Sequence, residues 1–113
     1  MLQDAHSRKI SSLVTAPVGD TVIIPFSNSE WHYVHELLGD LSAAGTLRII
    51  AINQSAVERI LGGVDLADAQ GVTFQDEPGE DNRPRFEVKP GEDVVLRVTG
   101  GTFTGSLHWS IRN

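Results

Sequence analysis

The chain has 113 residues, enough for one domain with a single core and no need of metal or disulfide staples. Hydrophobic residues make up 40%, above the disordered range, and eleven glycines and five prolines point to many turns, as a short-stranded β domain requires. A net charge of −6, with nine basic residues scattered among fifteen acidic ones, disfavours nucleic acid and anionic membrane surfaces as partners, and zero cysteines exclude disulfides, thiolate metal sites and Cys nucleophiles.

The first residues, Met1 to Lys9, carry early charge and no apolar run, so they do not read as a secretory signal, and no window approaches a membrane span. Synthesis in the cytoplasm is the expectation. Residues 1–17 are polar and weakly patterned and end at Ala16-Pro17. They are expected as an arm that orders against a neighbouring subunit, with Leu13 and Val14 as its contact residues. The domain proper is then 18–113.

From Val18 the texture changes. Val22, Ile24 and Phe26 alternate with Thr21, Ile23 and Pro25, and Pro25 cannot donate to a ladder, which predicts an edge strand. Ser27 to Glu30 fits a helix capping box, and Trp31, Val34, Leu38 and Leu41 recur at helical spacing. Trp31, Tyr33, His35 and Leu37 equally alternate as on a strand, so pattern leaves 27–41 open. Thr46–Ile52 is apolar on both faces and belongs at the centre of a sheet. Ala56–Leu61 reads as one helical turn or a strand closed by Gly62-Gly63. Gly71–Phe74 and Phe86–Val88 are short strands.

Lys89-Pro90-Gly91-Glu92 is a turn: Pro presets φ and Gly accepts the positive φ that follows in type II. Val94, Leu96 and Val98 then share one face. After a Gly100-Gly101 turn, Leu107, Trp109 and Ile111 do the same, with Trp109 expected in the core.

This order of parts resembles a small jelly-roll-like β-sandwich module of tailed-phage virion proteins. The likeness is carried by Gly45-Thr46, Phe86, Pro90-Gly91-Glu92, Leu96 and Gly105-Ser106-Leu107-His108-Trp109, and spans about the last 95 residues. It implies an all-β, jelly-roll-like sandwich with an extended N-terminal arm. It also implies a capsid decoration or cement role in the virion. The partners would be the major capsid or another virion protein and further copies of the chain, as a trimer. No cofactor and no enzymatic activity are implied.

Trp31-His32-Tyr33-Val34-His35-Glu36 is the one cluster resembling a site. On a helix, His32, His35 and Glu36 could share a face as metal ligands, but HEXXH spacing is absent and no fourth ligand is suggested beyond His108. Large side chains with polar tips suit a protein contact, so Trp31, Tyr33 and His35 are the expected partner-binding patch. The acidic run 76–81 lacks a calcium-loop pattern and reads as a solvated turn. No phosphate loop and no G-x-S-x-G elbow occurs. Two rival readings are a carbohydrate-binding or adhesion module built on exposed aromatics, and a cupin-like enzyme built on converging histidines.

Overall fold

The computed structural model describes residues 7–76 and 84–112, with side chains from residue 9. Among the described residues, nine strands form two antiparallel sheets: β1 (Ser7–Ala16), β2 (Gly19–Ile24), β3 (Trp31–Leu41), β4 (Gly45–Ile52), β5 (Glu58–Leu66), β6 (Gln70–Phe74), β7 (Phe86–Val88), β8 (Asp93–Thr99) and β9 (Phe103–Arg112). The front sheet runs β1-β9-β3-β6, with β7 also paired to β3, and the back sheet runs β2-β8-β4-β5. The chain crosses between the sheets at every connection except β4–β5 and β6–β7, and the first and last strands lie side by side. That is the jelly-roll sandwich.

Alternation fills the space between the sheets. From the front come Val14, Val34, Leu37, Leu41, Phe103 and Leu107; from the back, Ile24, Leu47, Ile49, Val94, Leu96 and Val98. β4 is central, as its two apolar faces predict, and β2 is an edge that ends just before Pro25.

The ambiguous 27–41 stretch resolves as strand. Ser27 Oγ accepts hydrogen bonds from the amides of Ser29 and Glu30, as a helix cap would, yet no helix follows. Instead the Gly91 amide donates to the Ser27 carbonyl, at 2.7 Å, and β3 is paired along both edges, by β9 on one side and β6 and β7 on the other. Two-sided pairing supplies ladder partners to most of β3, His35 and Glu36 being left out on the β6–β7 side.

The Pro90-Gly91 turn forms as expected, with φ of 88° at Gly91 and the Glu92 amide bonded to the Lys89 carbonyl. Gly100 and Gly101 also have positive φ and make the β8–β9 turn. Gly62-Gly63 does not turn: both residues lie inside β5. They are there for space, because a Cβ on Gly63 would press on the Leu47 carbonyl and the Arg48 side chain.

The N-terminal arm is corrected in the same way. Residues 7–16 form β1, laddered to β9 over ten positions from Ser7↔Arg112 to Ala16↔Phe103. Val14 and Ala16 are buried in the domain's own core. The strand was hard to read because its inward set, Ile10, Ser12, Val14 and Ala16, mixes small and hydroxyl side chains with apolar ones, and its partner lies about 90 residues away. Residues 1–6 fall outside the described part.

Candidate functional site on the front sheet

Of the two faces of the front sheet, the outer one is covered by no other strand among the described residues. Register sets its rows. Trp31 sits beside Arg112. Tyr33, Ser110 and Lys9 form the next row, then Glu36, His108 and Ser11, then Leu38, Ser106 and Leu13, and finally Asp40, Thr104 and Thr15. A register shift between Val34 and Glu36 makes His35 a β-bulge residue. The bulge adds one residue to β3, so His35 and Glu36 both stay off the core while Val34 and Leu37 remain in it.

His35 links three elements. Its Nδ1 lies 3.0 and 3.1 Å from the two carboxylate oxygens of Asp76, just beyond β6, and its Nε2 lies 2.9 Å from Ser110 Oγ on β9. The set is satisfied when Nδ1–H donates to Asp76 and Nε2 accepts from the Ser110 hydroxyl. Beside it, Ser11 Oγ is 2.8 Å from His108 Nδ1, and His108 Nε2 is 3.6 Å from Glu36. Lys9, Ser11, His35, Glu36, Asp76 and His108 line an open hollow of about 690 Å³.

Ser110, His35 and Asp76 follow the order of a hydrolytic triad, but Ser110 is only 4% exposed and lies beneath the imidazole. A hydroxyl that cannot meet a substrate is no nucleophile. Its hydrogen bond fixes the bulge histidine in place.

Towards one end of the face, Trp31 stacks on Tyr33, ring centres 6.4 Å apart and planes 20° apart, and the Arg112 guanidinium lies 5.4 Å from the Tyr33 ring centre. Towards the other, Leu13 is 89% and Leu38 44% exposed on either side of the small Ser106.

The expected partner residues therefore divide. Leu13, Trp31, Tyr33 and His35 share the outer face, whereas Val14 is in the core and cannot reach a partner. The alternation of β1 decides this, since Leu13 and Val14 must point to opposite faces. The metal cluster does not assemble. His32 points into the sandwich, on the opposite side of β3 from His35, and no group of three or more potential ligands converges among the described residues. Of the acidic run 76–81, only Asp76 is described, and its role is to hold His35. Sequence reading missed Ser11, Asp76 and Ser110, because a bulge and two long-range pairings bring them together.

His32 is buried with Nδ1 unpartnered, and its ring meets Trp109 edge-on at 5.1 Å. Burial pushes the imidazole below its ordinary pKa, opposed by the nearby Glu30 charge. Trp109 packs partly buried against the core, as predicted.

The outer face of the back sheet is closed differently. Arg97 on β8 is clamped by Asp20 of β2 and Glu58 of β5, at 2.7 to 3.0 Å. The Arg97 hydrogen bonds hold both carboxyls below their usual range, and the two carboxylates in turn raise Arg97. The clamp spans the row of Val95 and Ile50, whose side chains alternate away from the core yet are 3% and 1% exposed.

No protein-family model matches the chain, and no characterised protein matches it by sequence. Among solved structures it is similar to a chain of the disulfide-linked pili of Bacillus endospore appendages, at 16% identity and a TM-score of 0.54, covering 94% of this chain and 84% of that one. It is also similar to RmlC from Streptococcus suis, at 7% identity and a TM-score of 0.47, over 99% of this chain and 46% of that one. A third similarity is to a chain of the T13 IBDV viral particle, at 12% identity and a TM-score of 0.39, over 95% of this chain and 31% of that one. At this identity the pilus chain shares the fold, and a common activity does not follow.

Proposed function

We propose that the chain is a structural protein of a virion, of the capsid decoration or cement kind, and that it works by contact and not by chemistry. The observation that carries this reading is the outer face of the front sheet. Leu13, Trp31 and Leu38 are exposed there, Tyr33 and His35 lie between them, and no other strand covers them among the described residues. Large apolar side chains gathered on one open face mark an interaction surface. The sequence likeness to small tailed-phage virion modules supports the assignment to a particle, and jelly-roll sandwiches serve widely as shell-building units.

The test is the composition of purified particles. Mass spectrometry should find the chain in a fixed ratio to the major shell protein, and antibody-gold labelling should place it on the particle surface. Its absence from washed particles would refute the reading.

The stacked Trp31–Tyr33 pair favours a second reading, a glycan-binding module, because two nearly coplanar rings offer a platform for a sugar face. Glycan-array binding that Trp31→Ala abolishes, in a protein missing from particles, would select it.

A further inference from the structure

The outer face of the front sheet is self-complementary. Its two ends differ: Arg112, Trp31, Tyr33 and Lys9 at one, Asp40, Leu38 and Leu13 at the other. We propose that its occupant is a second copy of this chain, packed front sheet to front sheet about a two-fold axis that lies in the interface, across the strands. This rests on the reading of that face as a protein–protein contact, and it names the partner.

A two-fold in that orientation lays β3 over β3 and β9 over β9 with their directions reversed, so the rows invert. Trp31 then comes over the partner's Asp40, and Arg112 over the partner's Thr104, one strand spacing of about 4.8 Å from that Asp40. Tyr33 meets the partner's Leu38, and the methylene stem of Lys9 covers the partner's Leu13. Cation meets anion and aromatic meets aliphatic twice over, as an isologous contact requires. The reverse choice, an axis along the strands, would set Arg112 near the partner's Arg112 and Asp40 near the partner's Asp40, and charge disfavours it.

The middle row also fits. Glu36 and His108 lie near the axis, where like groups must approach one another. Here the face is hollow, so two facing hollows of about 690 Å³ each leave room for water between the two carboxylates. Ser11 hydrogen-bonds His108 and Glu36 approaches it from the same chain, so His108 needs no partner across the axis.

Size is sufficient. Ten-residue strands are about 30 Å long, and four strands at about 4.8 Å spacing are about 19 Å wide, which gives about 1,100 Å² over both copies. That just clears the roughly 1,000 Å² expected of a specific interface, so the dimer should be weak and concentration-dependent.

The experiment is sedimentation velocity and native mass spectrometry of the purified full chain from about 1 to 200 μM. Wild type should shift from monomer to dimer. Asp40→Arg and Arg112→Asp should each weaken association at least tenfold, and the double variant should recover most of it. Both residues are exposed, so circular dichroism should show unchanged folds. Leu13→Asp, at an 89% exposed position, gives an independent break should either charge variant misfold. A monomer throughout, a trimer, or charge reversals without effect would overturn the proposal. So would a double variant no better than the singles. Particle composition is read separately, so loss of the virion reading and loss of the dimer are distinguishable.

Discussion

Replacing His32 by Leu isolates one proton-linked contribution to stability. The imidazole is 3% exposed, its Nδ1 has no partner, and burial pushes it below its ordinary pKa. An unfolded histidine titrates near pH 6.5. Below that pH the unfolded chain takes up a proton that the folded chain refuses. The unfolded state then binds more protons, so stability falls as pH falls, until the pH reaches the folded-state pKa. The slope is about 1.4 kcal/mol per pH unit. Between pH 6.5 and 5, before most carboxylates titrate, wild type should lose up to about 2 kcal/mol through this group. Above pH 7 the contribution is constant. His32→Leu keeps an apolar side chain against Trp109 and removes the titration. His35 and His108 are present in both proteins and cancel in the difference. Urea unfolding of both, followed by circular dichroism from pH 5 to 8, reads that difference directly. Wild type should weaken relative to the variant as pH drops from 6.5 to 5. Parallel curves would refute the assignment of His32 as a neutral buried base.

Three further outcomes can be measured by thermal or urea unfolding. Gly91→Val should cost about 1–2 kcal/mol through its φ of 88° alone, because nothing lies within 4 Å of the new Cβ; a neutral result would mean the turn does not need positive φ. Gly105→Ala should cost more, in excess of about 2 kcal/mol, since its Cβ would overlap the Leu38 carbonyl and come 2.7 Å from Gly39 Cα on β3; wild-type stability would argue against this β3–β9 register. Glu92 is buried, bonded to Arg59 and to the Lys89 amide, and these contacts outweigh burial to hold its carboxyl below the ordinary range. Its stabilisation is present above the unfolded carboxylate pKa and lost as pH falls through the folded one. Glu92→Gln should therefore cost about 1–3 kcal/mol at pH 7 and less at pH 3, and a pH-independent cost would contradict the ion pair.

The all-β class, the central place of β4, the edge position of β2 at Pro25, the Pro90-Gly91 turn and the core-facing set on β8 are legible in the order of residues alone. Each is a local rule, in which a side-chain period of two or a φ requirement is satisfied within a few neighbouring residues. Trp31, Tyr33 and His35 were legible as surface candidates for the same reason, since they alternate with the core-facing Val34. Tertiary structure decided the rest. Whether 27–41 turns into a helix or a strand depended on β6, β7 and β9 arriving on both of its edges. Whether 7–16 reaches outward or joins the domain depended on β9. Gly63 was set by crowding from Leu47 and Arg48 across the ladder, and Gly62 by the Phe86 ring. The hollow with its two histidines needed a bulge at His35 and side chains from four separate stretches of chain, and no period in the sequence announces a bulge. Pairing between distant segments has no local signature, because the backbone groups that form it are the same at every residue.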